Sequence, residues 1–322
     1  MAYTEIVIGI LKRGNMVCLS LRQSSQTMAG LWEFPGGKVE AEESLENALK
    51  REFLEELAVE TTDWQPLMTV PWTYPTVTVR LNVYVTETFT GEPRGNEGQK
   101  VAWVSILDLA TMSFPEANRG IITALLLADK YMISGDFEGQ EDALQRLQIS
   151  LENGIRLCQL RAKNLSEDAL LSLASKAIKL AHDYQAKILL NGRPQLLSLL
   201  PDADGMQLAS NVIYDYQSRP IAKDKLLGVS THTLEDIEQA LKIEADFILL
   251  SPIQETSSHP DVPGLGWSAF SDVVKTLPIP VFALGGMQPK DVEQAQKLGG
   301  QGIAAISGLW PSRHLFERRQ FH

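Results

Sequence analysis

Hydrophobic positions in the first 128 residues fall mostly into strand-like alternation, interrupted by one helical stretch. Glu5 to Leu11 and Met16 to Arg22 predict two strands around the polar turn Lys12-Arg13-Gly14-Asn15. Gln65 to Tyr74 and Thr76 to Thr86, rich in Val, Thr and aromatic residues, predict two more, and Val101 to Val104 a short fifth. Between them Leu49, Phe53 and Leu57 recur at helical spacing, which predicts a helix from about Ser44 to Leu57 with one buried stripe. Ser44 with Asn47 gives a weak capping signal at its start. Pro35-Gly36-Gly37 predicts a tight turn, and a last helix begins near Pro115 and Asn118 and runs through Leu125 to Leu127.

Beyond Ala128-Asp129-Lys130, which is no Pro/Gly/Ser linker, the rhythm changes to short apolar runs separated by helical patterns. The runs are Tyr131–Ser134, Ile155–Leu160, Lys187–Leu190, Gly205–Leu208, Leu226–Val229, Phe247–Leu250, Val281–Leu284 and Gly302–Ile306. Helical patterns over Asp168–Tyr184, Leu234–Ile243 and Lys290–Leu298 serve as crossovers. Eight short buried strands with crossovers predict a (β/α)8 TIM barrel near its lower size limit, with a doubly wound sheet as the competing arrangement. Both halves are thus α/β, with expected domains at 1–128 and 129–318.

Charge narrows the partners. The 322 residues carry a formal net charge of −11, and residues 1–128 hold 10 Lys and Arg against 16 Asp and Glu. Acidity is spread over both halves, so no basic stripe points to a nucleic-acid polymer. No apolar run reaches bilayer length and the N-terminus lacks a leader pattern, so the expectation is a cytoplasmic protein without a membrane partner. Cys18 and Cys158 lie in predicted strands and read as small buried hydrophobes. The oligomeric state leaves no mark on the sequence.

One helix carries the chemistry. Glu52, Glu55 and Glu56 stand at i, i+3 and i+4 and share one face beside the apolar stripe. A solvated acidic face is the plain reading of such a pattern. The sharper reading is a site for a hard divalent cation, which neutralises clustered carboxylates through oxygen ligands alone.

Resemblance favours the second. Gly37, Glu43, Arg51, Glu52, Phe53, Glu55, Glu56 and Val59 match the Nudix box at every position except the late glycine, where Ala58 stands. The resemblance implies an α/β/α sandwich with a mixed sheet and metal-dependent hydrolysis of a diphosphate bond. It implies magnesium, or manganese in its place, held by the Gly36 carbonyl, Glu52, Glu55 and Glu56, with Glu97 of Gly95-Asn96-Glu97-Gly98-Gln99 joining them. Glu55, Glu56, Glu52 and Arg51 are the expected catalytic residues, Arg51 by pairing with Glu55.

Within that group the chain resembles most the MutT-like enzymes that hydrolyse oxidised purine nucleoside triphosphates. By that likeness Asn118, after Phe114-Pro115, reads the base, Phe34 packs near it, and Arg22 and Lys38 contribute to substrate binding. The expected reaction takes 8-oxo-dGTP to 8-oxo-dGMP and pyrophosphate. One departure concerns closure over the base: Thr76-Val77 follows Tyr74-Pro75 where the bacterial relatives carry Asp-Arg.

In the second half, polar residues cluster just after the predicted strands, where barrels of this kind keep their sites. They are Gln159, Arg161 and Lys163, then Asn191 and Arg193, Ser230 and His232, Gly285 and Gly286, and Ser307 and Gly308. The last two loops predict a phosphate cradle. In order and spacing, Gln159–Lys163, Asn191–Arg193, Asp204–Ser210, Gly228–His232, Ser251–Ile253, Ala283–Gly286 and Ile306–Gly308 resemble the thiamine phosphate synthase/TenI group.

Three departures weigh against synthase chemistry. Gly192 interrupts the group's Asn-Asp-Arg, Ala209-Ser210-Asn211-Val212 lacks its acidic residue, and His259 replaces a lysine. The expectation is a synthase-inactive barrel that takes a phosphate or thiazole-type ligand, with His232 open to an acid–base role as in thiazole tautomerisation. Two rival readings stand beside it. In one, the Nudix half acts on a thiamine-pathway diphosphate together with the barrel; in the other, the barrel is a phosphometabolite-binding or structural module.

Overall fold

A computed structural model describes residues 3–25, 27–256 and 263–312. By their contacts these separate into two units. One is the chain up to Leu126 with Ser271–Pro280; the other is Leu127–Phe270 with the chain from Val281 onward.

The first unit is built on the strand Thr4–Arg13. Thr78–Thr86 runs parallel to it and Met16–Leu21 antiparallel, so the sheet is mixed. Gln65–Thr73 and Lys100–Ser105 extend it on its two sides, each antiparallel to its neighbour. Side chains alternate across the central strand. Val7 and Leu11 pack with Leu49, Phe53 and Leu57 of the helix Leu45–Leu57, while Ile8 and Ile10 pack with Ile121 and Ala124 of the helix Arg119–Leu126. The result is helix, sheet, helix.

Leu49, Phe53 and Leu57 are fully buried, and such burial contributes about 1.5–3 kcal/mol per side chain. Gly9 makes the close fit possible. A Cβ there would lie 2.2 Å from the Phe53 ring, so the ring rests directly on strand backbone. Phe53 in turn meets Trp64 edge-on, with centroids 5.0 Å apart.

Pro35-Gly36-Gly37 does not form the expected tight turn. Gly36–Lys38 is a short strand antiparallel to Ile6–Ile8. Two glycines hide a strand from pattern reading, yet the packing needs them. A Cβ on Gly36 would stand 2.1 Å from the Val7 carbonyl oxygen, and one on Gly37 2.2 Å from the Glu52 carboxylate.

The helix Leu45–Leu57 starts at Ser44, whose Oγ accepts the Asn47 N–H at 3.2 Å. It ends at Ala58, which adopts a left-handed conformation (φ 55°, ψ 39°) and donates its N–H to the Leu54 carbonyl at 3.1 Å. Alanine therefore performs the turn that glycine performs in the box, with a Cβ penalty.

The second unit is a closed barrel of eight parallel strands: Lys130–Ile133, Leu157–Leu160, Lys187–Asn191, Gly205–Leu208, Leu226–Thr231, Phe247–Leu250, Val281–Leu284 and Gly302–Ala305. Lys130–Ile133 pairs with both Leu157–Leu160 and Gly302–Ala305, and that closure excludes a doubly wound sheet. Tyr131, Phe247 and Phe282 fill the interior with centroids 5.6–5.8 Å apart. Two crossovers are minimal, the four-residue helix Leu196–Leu199 and the single turn Ile213–Asp215, which keeps the barrel small.

Candidate functional site

The box glutamates are held by different devices. Arg51 is the hub: its Nε and Nη2 donate to the two Glu43 carboxylate oxygens at 3.0 and 2.9 Å. Its Nη1 donates to Glu52 at 2.7 Å and to Glu55 at 3.3 Å, and its Nη2 also reaches the Lys38 carbonyl at 3.0 Å. The Arg51–Glu55 pair read from the sequence is present, alongside three shorter contacts, to Glu43, Glu52 and the Lys38 carbonyl, that were not foreseen. Glu43 is locked further by the Glu40 N–H at 3.0 Å, and its pKa is held down chiefly by the Arg51 hydrogen bonds.

Glu56 is held by backbone instead. Its carboxylate accepts the Gly36 N–H at 3.3 Å, and burial, then the neighbouring Glu52 charge, push its pKa up to about 8. Glu33 and Glu97 add to that repulsion, which places both carboxylates in its electrostatic neighbourhood. Burial also raises the pKa of Glu52, with Arg51 opposing it. Glu55 is largely exposed at 57%.

Among the described residues, no three His, Cys, Asp or Glu side chains are already gathered as a cation cluster. The donor set nonetheless fits a hard cation. The candidates are all oxygen ligands, Glu52 and Glu56 are half-buried at i and i+4, and their mutual repulsion is what a divalent ion relieves. The Gly36 carbonyl and Glu97 complete the set expected from the sequence.

Glu97 sits on a loop that caps the end of the helix. Arg94 N–H donates to the Leu57 carbonyl at 3.1 Å, and Asn96 N–H to the Glu56 carbonyl at 2.9 Å. The side chains of Asn96 and Gln99 donate to the Glu55 and Glu56 carbonyls, each at 2.9 Å. These carbonyls have no partners within the helix, so the loop satisfies them. Neither Asn96 nor Gln99 was singled out from the sequence, although helix-end carbonyls followed by amide side chains were the available signal.

The residues expected to bind the substrate are held by several different contacts. Arg22 pairs with Glu33, and its Nε donates to the Thr27 carbonyl at 2.7 Å. Asn118 is buried at 5% exposure, just before the helix Arg119–Leu126. Phe34 is a core residue at 4% exposure, stacked on the partly buried Phe114 at 5.7 Å. Lys38 is exposed, and its carbonyl accepts from Arg51. Trp32, Trp72 and Tyr74 pack half-buried against the same core.

In the barrel, a cavity of about 540 Å³ opens at the C-terminal strand ends. Its lining includes Gln159, Arg161, Lys163, Asn191, Ser230, His232, Gly285, Gly286 and Ser307. Arg193 and Gly308 are not among the lining residues; Arg193 is exposed. Ser210 and Ser251, read from the sequence only as parts of Asp204–Ser210 and Ser251–Ile253, line it as well, and so do Glu255, Thr256 and Met287, which were not singled out.

His232 Nδ1 stands 3.0 Å from the Ser251 carbonyl and 3.1 Å from the Ser251 Oγ, so Ser251 fixes the orientation of the ring. At Gly192 φ is 151° and a Cβ would meet Leu196 at 2.9 Å, so an aspartate there requires Leu196 to move. His259 lies outside the described residues.

Comparison with known proteins agrees with both units. A model of the NUDIX domain matches residues 6–124, and one of thiamine monophosphate synthase matches residues 130–309. An Aquifex aeolicus relative carrying a thiamine-phosphate synthase name is 36% identical over 177 residues, 55% of this chain and 95% of its own length. A Synechococcus thiamine-phosphate synthase is 30% identical over 179 residues; the match spans 55% of this chain and half of that relative.

Among solved structures, MutT described from Aliivibrio salmonicida and Vibrio cholerae is 35% identical with a TM-score of 0.35, covering 39% of this chain and 98% of that one. A thiamine phosphate pyrophosphorylase from Pyrococcus furiosus is 24% identical with a TM-score of 0.50, covering 63% and 93%, and it shares the fold. Among the described residues no helix is long and apolar enough to cross a membrane. The chain therefore carries a NUDIX hydrolase domain over residues 6–124 and, through residues 130–309, belongs to the thiamine monophosphate synthase family.

Proposed function

We propose that the first unit hydrolyses oxidised purine nucleoside triphosphates, taking 8-oxo-dGTP to 8-oxo-dGMP and pyrophosphate. The observation that carries the metal-dependent part is the box face itself: Glu52 and Glu56 half-buried together, Glu55 beside them, and Glu97 brought up by a capping loop. Bound there by the Gly36 carbonyl and these carboxylates, magnesium would neutralise phosphate oxygens and acidify the attacking water. The chain's own residues position the glutamates through Arg51 and Gly36 and receive the water's proton on a box carboxylate. Water's oxygen bonds to phosphorus as the bond to the bridging oxygen breaks. The purine reading rests on Asn118 and on the half-buried Trp32, Trp72, Tyr74 and Phe114.

The test is magnesium-dependent kinetics of the full chain on 8-oxo-dGTP, dGTP and thiamine diphosphate. The proposal expects a kcat/KM preference of about a hundredfold for 8-oxo-dGTP over dGTP, roughly 3 kcal/mol, and a Glu56→Gln loss of about 10²–10⁴. A preference for the thiamine compound would overturn the purine reading.

For the barrel we propose a phosphorylated small-molecule ligand without synthase turnover. Arg161 and Lys163 line the cavity as cations, Glu255 is the one carboxylate that lines it among the described residues, and the group's two metal-ligand positions are not acidic here. His232, oriented by Ser251 and lining the cavity, is the candidate for acid–base chemistry on a thiazole-type ligand. Calorimetric titration with a thiazole phosphate should give binding that Arg161→Met weakens about tenfold or more; equal affinity in the two proteins would refute the cation's role.

A further inference from the structure

We infer that Gln99 is a positioning residue that sets where Glu97 stands relative to the box glutamates. The inference rests on the proposed reading of Glu97 as a metal ligand. Four donors of the 94–99 loop serve the carbonyls of Glu55, Glu56 and Leu57, and Gln99 differs from the rest. While its Nε2 donates to the Glu56 carbonyl at 2.9 Å, its Oε1 accepts the Glu97 N–H, also at 2.9 Å. One side-chain amide therefore ties the backbone of Glu97 to the backbone of Glu56.

The opposite peptide group of Glu97 is fixed as well, since its carbonyl accepts Gln23 Nε2 at 2.9 Å. The loop has little slack. A Cβ on Gly95 would come within 1.7 Å of the Gln99 carbonyl oxygen, and Gly98 closes the turn with φ 83° and an N–H to the Gly95 carbonyl at 3.2 Å. With its backbone clamped on both sides, Glu97 keeps an exposed side chain to deliver toward the helix face. Removing the Gln99 amide leaves the Asn96 contacts in place, so the helix end stays capped while Glu97 loses its tie to the Glu56 backbone and keeps only the Gln23 contact.

The test is a double-mutant cycle on the full chain, read as Mn²⁺ affinity from the free-ion EPR signal. The variants are Gln99→Met, which keeps the shape and removes both bonds, Glu97→Gln, and the two together. Each single change should weaken Mn²⁺ binding about tenfold, as orienting partners of metal ligands do. The double variant should match Glu97→Gln alone within about twofold, because Gln99 then has nothing left to position.

Losses that multiply in the double variant would overturn the inference; general loosening of the fold gives that outcome. Wild-type affinity in Gln99→Met, with a clear loss in Glu97→Gln, overturns the inference alone. Unchanged affinity in Glu97→Gln overturns the ligand reading, and the inference falls with it.

Discussion

Glu56→Gln separates the stability this carboxylate withholds from the fold and the catalysis it supports. In the folded protein its pKa rises from 4.5 to about 8, mainly through burial. The folded state therefore binds the proton more tightly than the unfolded state does. The associated stability is fully present below pH 4.5 and is lost as pH climbs through about 8. At about 1.4 kcal/mol per unit, the full shift corresponds to at most about 5 kcal/mol. Outward swing of the side chain and entry of water reduce this, so about 2–3 kcal/mol is the expected effect.

Glutamine keeps an oxygen for the Gly36 N–H and never ionises. Urea unfolding in EDTA should therefore show Glu56→Gln more stable than wild type at pH 8, with the two converging below pH 4.5. Magnesium should then stabilise the wild type selectively by mass action. A variant no more stable than wild type at pH 8 in EDTA would refute the claim that Glu56 is a buried, repelled carboxylate.

Two further outcomes follow from local geometry. Ala58→Gly should raise stability by about 1 kcal/mol, since Ala58 holds a left-handed conformation that glycine adopts without a Cβ clash; the shift in denaturant midpoint measures it. Glu43→Gln should raise the magnesium concentration needed for half-maximal hydrolysis about tenfold while leaving the nucleotide KM nearly unchanged, because Glu43 steadies Arg51. A change confined to the nucleotide KM would contradict that role.

The barrel was legible because strands buried on both faces write uninterrupted apolar runs, such as Phe247–Leu250 and Val281–Leu284, all but one of whose residues are buried. Its ends were less so. Ile155 looked like strand, but its N–H returns to the Ser150 carbonyl, so the strand begins only at Leu157. The helix Leu45–Leu57 was legible from its stripe, and its glutamates from their spacing. Gly36–Lys38 was not, because a glycine strand carries no alternation and its register is set by what a missing Cβ permits. Phe34 carries a second part that its place beside the motif did not reveal, since it stacks on Phe114 within the core.

The largest gap was the part played by Glu43, eight residues from Arg51 and across a turn that periodicity does not describe. Its position explains how the site can be firm without a cation and still accept one. Two nitrogens of Arg51 are given to Glu43, one of them shared with the Lys38 carbonyl. Only Nη1 touches Glu52 and Glu55. A cation that takes up those two carboxylates therefore releases a single Arg51 nitrogen, and the Glu43 fork keeps the guanidinium where it was. Glu56 is prepared differently, by a backbone N–H and by burial that favours its protonated form until a positive charge arrives. Divalent ion binding must then release that proton, so apparent metal affinity should rise with pH up to about 8 and level off above it. That slope, measured with Mn²⁺ and absent from Glu56→Gln, would tie the box geometry to its chemistry; an equal slope in both proteins would assign the proton to another group.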